Sequence, residues 1–491
     1  MPTGIEGLDD VLAGGFPPDR LYLIEGDPGT GKTTLALQYL LEGARRGEAG
    51  LYITLSETSE ELREVAKSHG WSLDALALHE LSTPEELAMA EETIFHPSEV
   101  ELGETVRAIT EHVSRVKPAR VVFDSLSEMR LLAQNPLRFR RQILALKQFF
   151  IGRQATVLLL DDLVQVNGDA QLRSLAHGVL KLEQLFPEYG KERRRLRIVK
   201  MRGREYRGGY HDFVIRKGGL AIFPRLISAE YEQQFTPGVL ASGVPELDAL
   251  VGGGLDRGTS TLVMGPAGAG KSVLSTQYAA AAARRGEAVA FFTFEEGLGT
   301  MFARAESLGM GLQEHVQSGR VTVQKVDPAE LSPGEFAYRV HQAVEQRQAR
   351  VVVIDSLNGY LNAMPEEQLL TPQLHELLAY LGHRGVATLL VMGQHGFLGS
   401  GMQSPVDVSY LADTVILIRY FEAMGRVRRA ISLIKRRGGA YEETIREYRI
   451  EPDGIRIGPP LEEFQGVLTG VPLYQGAAGT LLAGPKGEKE T

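Results

Sequence analysis

Residues 26–34 read "GDPGTGKTT" and residues 265–273 read "GPAGAGKSV". Both satisfy G-x-x-x-x-G-K-[ST], with Gly26, Gly31, Lys32 and Thr33 at the fixed positions of the first and Gly265, Gly270, Lys271 and Ser272 at those of the second. Gly29, Thr30 and Thr34 complete one cradle, and Gly268, Ala269 and Val273 the other. Glycines let the backbone curl so that successive N–H groups converge on a phosphate oxygen, with a helix N-terminus behind them. The lysine then reaches the outer phosphates of a nucleotide such as ATP, and the hydroxyl of Thr33 or Ser272 reaches Mg²⁺. Each loop follows an apolar run and opens a helical pattern, as that mechanism requires. A chance Gly-rich turn does not explain two such contexts.

The loops are part of a larger repeat. "TGIEGLDDVLAGG" from Thr3 answers "SGVPELDALVGGG" from Ser242, "ARRGEA" recurs at 44–49 and 283–288, and Glu57 maps onto Glu296 without a gap. Further on, "RVVFDSL" (120–126) answers "RVVVIDSL" (350–357), and "IVKMRG" (198–203) answers "LIKRRG" (433–438). Persistent order and spacing indicate a tandem duplication of a whole domain. The polar stretch "SAEYEQQFTPG" (228–238) marks the boundary. Expected domains are therefore 1–232 and 233–474, followed by a Gly-rich, mobile tail at 475–491.

Short apolar runs alternate with helical patterns in both halves, which predicts a mostly parallel sheet covered on both faces. The expected strands are "LYLIEG", "GLYITLS", "RVVFDS" and "ATVLLLDD" in the first half. In the second they are "STLVMG", "AVAFFTFE", "VVVIDS" and "ATLLVMGQ". Alternating polarity late in each half predicts an antiparallel or mixed extension of the sheet.

Asp124 and Asp355 end two of these strands, where a carboxylate can orient Mg²⁺-bound water; capping of the next helix is the alternative. Hydrolysis also needs a group that orients or deprotonates water, and Glu57, Glu295 and Glu296 end the strand after each first helix. Acidic residues at a helix start are the competing explanation. Period-two alternation places Lys200 and Arg202 on one strand face, and Lys435 and Arg437 repeat the arrangement with no acid nearby in sequence. A solvated strand, local ion pairs or a nucleic-acid patch in "KERRRLRIVKMRGREYR" (191–207) are the alternatives.

The chain of 491 residues has a formal net charge of −9 and no cysteine, which excludes disulfides, thiolate zinc sites and cysteine nucleophiles. The acidic balance argues against a protein that coats nucleic acid. No leader-like start and no bilayer-length apolar run are evident, so a soluble, cytoplasmic protein without membrane contact is expected.

Two P-loops, the glutamates after the second strand, Asp-Ser after the third, and Lys-x-Arg-Gly late in each half together resemble the RecA-like ATPases, and among them the double-domain KaiC family. The resemblance runs from Thr3 to "FQGVLTGVPLYQG" (464–476). It implies two RecA-like lobes per chain, a homo-hexameric double ring, and ATP at subunit interfaces with Lys200, Arg202, Lys435 and Arg437 reaching a neighbour's phosphates. It also implies an ATP-hydrolysing signalling or regulatory ring that works with a regulatory protein partner. A DNA-stimulated motor and a nucleotide-gated scaffold with little turnover are the alternatives. Two departures stand out. Ser56-Glu57 replaces an adjacent glutamate pair, and Ser409-Tyr410 occupies the place of a phosphorylated Ser-Thr pair, leaving Ser409 as the one aligned phosphoacceptor for an autokinase.

Overall fold

The computed structural model describes residues 1–81, 97–133, 135–162, 170–362, 370–394, 410–423, 425–468 and 473–474. Contacts divide the chain into two units, Met1–Arg225 and Leu226–Thr491. Ser409 and the tail at 475–491 lie outside the described residues.

Among the described residues the first unit holds nine strands: β1 (Leu21–Gly26), β2 (Gly50–Thr54), β3 (Ala77–Glu80), β4 (Arg120–Asp124), β5 (Thr156–Asp162), β6 (Gly178–Leu185), β7 (Arg193–Met201), β8 (Tyr210–Arg216) and β9 (Gly219–Phe223). They form one sheet in the order β3-β2-β4-β5-β1-β6-β7-β8-β9. Pairing is parallel from β3 to β6 and antiparallel from β6 to β9.

The second unit repeats this with β10 (Ser260–Gly265), β11 (Val289–Thr293), β12 (Val321–Lys325), β13 (Val351–Asp355), β14 (Ala387–Gly393), β15 (Thr414–Ala423), β16 (Arg426–Arg436), β17 (Ile445–Glu451) and β18 (Gly454–Pro460). Their order is β12-β11-β13-β14-β10-β15-β16-β17-β18. All eight expected strands are present. The edge strands β3 and β12 went unread because their sequences, "ALHE" and "VTVQK", lack an apolar run.

Helices cover both faces, so the central strands are buried on both sides and alternate residues feed separate cores. Tyr22 and Ile24 of β1 join one cluster with Leu35, Ala36 and Tyr39 of the helix Lys32–Arg45. Leu21 and Leu23 join the other with Phe139 and Ile143 of the helix Pro136–Phe150. In the second unit the helix Lys271–Arg284 buries the run Ala279–Ala283 completely, and alanine satisfies both its helix propensity and the narrow space.

The turn before each P-loop strand is also built twice. Asp9 accepts the Thr3 backbone N–H at 2.9 Å, and Asp248 accepts that of Ser242 at 2.7 Å. One correspondence shifts. Strand pairing sets Asp124 against Thr54 and Asp355 against Thr293, so Arg120 aligns with Val351 rather than Arg350. Arg120 is consequently inside the fold, bonding Glu48 Oε2 at 2.5 Å, Pro2 O at 2.9 Å and Tyr39 O at 2.7 Å. Gly43 makes the room, because a Cβ there would meet Arg120 Cδ at 2.5 Å. Arg350, one residue earlier, stays exposed.

Candidate nucleotide site

The P-loops sit at the C-terminal ends of the parallel strands β1 and β10, the end at which open α/β sheets bind ligands. Gly31 and Gly270, immediately before the helices, take φ of 96° and 102°, values that favour glycine. A Cβ on Gly26 would stand 2.5 Å from Thr30 Oγ1, which itself donates to Asp27 O at 2.8 Å. The cradle is closed by its own side chain.

Lys32 folds back over its loop. Its ammonium donates to Gly26 O at 2.8 Å and Asp27 O at 3.1 Å, and pairs with Asp162 Oδ1 at 2.7 Å. Lys271 donates to Pro266 O at 2.8 Å, and burial lowers its affinity for a proton while Asp355 and Glu295 oppose that effect.

The strand-end carboxylates stand beside the P-loop hydroxyls. Thr33 Oγ1 donates to Asp124 Oδ2 at 3.2 Å, and Ser272 hydrogen-bonds Asp355. Burial pushes the Asp355 carboxyl up to about 6; Ser272 and Arg304 pull it down, and Glu296 and Glu295 push it further up. Asp124 is raised as well, chiefly by burial, although Tyr52 and Thr33 donate to it. A buried carboxylate that resists ionisation beside an aligned hydroxyl suits a divalent cation, whose charge would relieve the cost. Among the described residues no three acidic or His side chains cluster as a metal cage. One hydroxyl and one carboxylate, completed by phosphates and water, are what Mg²⁺ takes at such sites. Thr33 with Asp124, and Ser272 with Asp355, therefore fit the ion.

The glutamates differ between halves. Glu295 Oε1 accepts the Ser356 hydroxyl at 2.5 Å, and Glu296 pairs with Arg304 at 3.0 Å. Glu57 is half-buried, and its Oε2 has no hydrogen-bond partner among the described residues. Burial raises its pKa first, then the charges of Asp124 and Glu61, against Lys32. Those pairings place Glu57 within electrostatic reach of both the metal-site aspartate and the P-loop lysine.

The Lys-x-Arg pairs lie elsewhere. Met201 pairs with Gly178 and Arg436 with Thr414, at the start of strands whose far ends flank the P-loops. Lys200 bonds Arg173 O at 2.6 Å and Ala176 O at 2.8 Å; Arg202 bonds Ser174 O at 3.0 Å. Lys435 bonds Ala412 O at 2.7 Å. Arg437 does have an acidic partner, Asp413 at 3.0 Å, which folding brings across from the neighbouring strand. None of the four meets the P-loop of its own domain in these contacts.

Two site residues escaped the sequence reading. Tyr52, whose hydroxyl donates to Asp124 Oδ2, is matched by Phe291 in the second domain, and Asp162 is matched by Gly393. Both differences appear when the repeats are set side by side and the residues flanking each strand end are compared.

The family model for KaiC ATPases matches residues 1–227 and again 240–462. The chain is 26% identical over 486 residues to the circadian clock protein KaiC3 of Synechocystis sp., covering 96% of this chain and 94% of that protein. It is 26% identical over 482 residues to the circadian clock oscillator protein KaiC of Prochlorococcus marinus, covering 96% and 95%. With one domain match in each half, both P-loops intact and the sheet order repeated, the chain belongs to the KaiC family of ATPases.

Proposed function

We propose that this protein is an ATP-driven regulatory ring. In this reading each of twelve sites holds Mg²⁺-ATP between its own P-loop and the Lys-x-Arg strand of an adjacent subunit. The observation that carries the reading is the hydroxyl–carboxylate pair beside each P-loop, Thr33 with Asp124 and Ser272 with Asp355. The position of Lys200, Arg202, Lys435 and Arg437 at the opposite strand ends supports a role toward a neighbour rather than toward their own phosphate.

The backbone N–H groups of 26–34 and 265–273 bind the β-phosphate, and Lys32 or Lys271 turns to the outer phosphates. When bound, Mg²⁺ offsets the negative charge that builds on the bridging oxygen. Glu57 in the first domain, and Glu295 with Glu296 in the second, orient water in line with the γ-phosphorus and accept its proton. The new P–O bond forms to water, the bond to the bridging oxygen breaks, and ADP departs with that electron pair.

In the second domain Ser409 is the candidate acceptor in place of water, its hydroxyl proton passing to Glu295 or Glu296 of an adjacent subunit. The support is its alignment with the family's phosphoserine and the anchoring of the next residue, whose carbonyl accepts from Arg437 at 3.0 Å.

Native mass measurement with and without Mg²⁺-ATP, with phosphate release and phosphosite mapping on the same sample, tests the reading. Hexamers that require ATP and turn it over slowly are expected. A particle unaffected by ATP would overturn the interface sites. Turnover stimulated by single-stranded DNA would instead support a motor, and assembly without turnover a scaffold.

A further inference from the structure

Lys32 and Lys271 occupy one position in two copies of a loop but are held differently. The Lys32 ammonium has three N–H donors, and three acceptors take them: Gly26 O, Asp27 O and Asp162 Oδ1. Lys32 is 8% exposed and Asp162 27%, so the pair is partly shielded from water. Asp162 is the register partner of Gly26 at the end of β5, and its backbone N–H is anchored by Ser127 Oγ at 3.1 Å. In the second domain the register partner of Gly265 is Gly393, which has no side chain. Among the described residues Lys271 has one hydrogen-bond acceptor, Pro266 O.

We propose that Asp162 is a specificity-determining residue that narrows the first site's discrimination between triphosphate and diphosphate, so that this site retains the nucleoside diphosphate more readily than the second does. This rests on the reading of both P-loops as nucleotide sites. A β-phosphate is bound by the backbone N–H groups of the loop and leaves the lysine's pairing largely in place. A γ-phosphate needs that lysine. It must displace the carboxylate and then remain beside it, and two like charges a few ångströms apart in a shielded crevice repel strongly. At the matching position domain two has Gly393 and so no carboxylate, and its nearby Glu295 is engaged by the Ser356 hydroxyl.

The test uses the full chain with one site silenced, titrated calorimetrically with Mg²⁺-ADP and with Mg²⁺-AMP-PNP as the triphosphate probe. The first site of Lys271→Ala should favour ADP over AMP-PNP by roughly tenfold or more relative to the second site of Lys32→Ala. Adding Asp162→Asn should abolish that preference by tightening AMP-PNP, with little change for ADP. The reciprocal variant, Gly393→Asp in Lys32→Ala, should move the second site toward ADP. Among the described residues a Cβ at Gly393 meets nothing closer than Asn358 at 3.7 Å, so this variant tests the proposal even if Asp162→Asn fails to fold. Equal changes for both nucleotides, or weaker AMP-PNP binding in Asp162→Asn, would overturn the proposal. Failure of the Lys271→Ala protein to bind either nucleotide would overturn the nucleotide-site reading beneath it.

Discussion

The hydroxyl of Tyr448, fully buried on β17, donates to the carbonyl of Gly270 at 3.0 Å, directly before the P-loop lysine. The antiparallel strands beyond β15 thus brace the phosphate loop from outside the parallel core. In the first domain Phe213 holds the register position of Tyr448 without a hydroxyl, and Ile215 packs at the P-loop glycine as Ile450 does in the second: a Cβ on Gly31 would meet Ile215 Cδ1 at 2.6 Å, and one on Gly270 would meet Ile450 Cδ1 at 2.7 Å.

Tyr448→Phe should cost about 1 kcal/mol, the net worth of one hydrogen bond, and weaken nucleotide binding at the second site. Tyr448→Ala should cost about 3–5 kcal/mol by leaving a cavity. Denaturant unfolding and titration of the second site in a Lys32→Ala background measure both.

Water activation should divide between the halves. Glu295→Gln keeps its shape and its bond to Ser356 but loses the base, so second-domain hydrolysis should fall about 10²–10⁴-fold with binding retained. Glu57→Gln should do the same for the first domain. Phosphate release in Lys32→Ala or Lys271→Ala backgrounds reads each site alone. Unchanged turnover in Glu57→Gln would remove that residue from the mechanism.

In the proposed ring, nucleotide at the first domain is expected to hold the assembly together more than nucleotide at the second. Lys32→Ala should therefore reduce the hexamer fraction more than Lys271→Ala does in Mg²⁺-ATP, as measured by native mass. Equal losses would contradict that division.

His211 should make the first domain acid-sensitive. It is fully buried, its Nε2 bonds Arg207 O at 2.9 Å, and Nδ1 accepts the Arg225 backbone N–H at 2.9 Å, so the neutral ring is satisfied on both sides. Burial, with the charges of Arg207 and Arg225, lowers its pKa to about 4 from 6.5, against the backbone bond. The unfolded chain then binds the proton that the folded one refuses. Stability should be full above pH 6.5 and decline as pH falls toward 4, by about 3 kcal/mol in all. His211→Gln should flatten that part of the pH profile in chemical denaturation.

Much of this arrangement was legible because it depends on backbone. Glycines at positive φ, strand ends and a repeated spacing identify the P-loops, Asp124 and Asp355 without knowledge of any contact. Features that need a partner strand were hidden. Asp162 gains its meaning only when register sets β5 against β1, and Arg120 only when Gly43 opens a space for it. The acid beside Arg437 was invisible for the same reason, since Asp413 is 24 residues away in sequence. Duplication both helped and misled: matching "RVV" letters suggested that the two arginines correspond, whereas the aspartates set the true alignment.

The position of β1 also governs how the chain can mature as it is made. β1 is central, yet both its neighbours come late: Leu21 pairs with Val157, and Gly26 with Leu182. At about 5–20 residues per second, a ribosome leaves this apolar strand unpaired for roughly 10–30 s. The first phosphate loop cannot be braced before then, while the second half of the message is still unread. Nascent chains stalled before β6 should need a chaperone to stay soluble, and those stalled after β9 should not. The first nucleotide could then be captured while its twin site is still being translated.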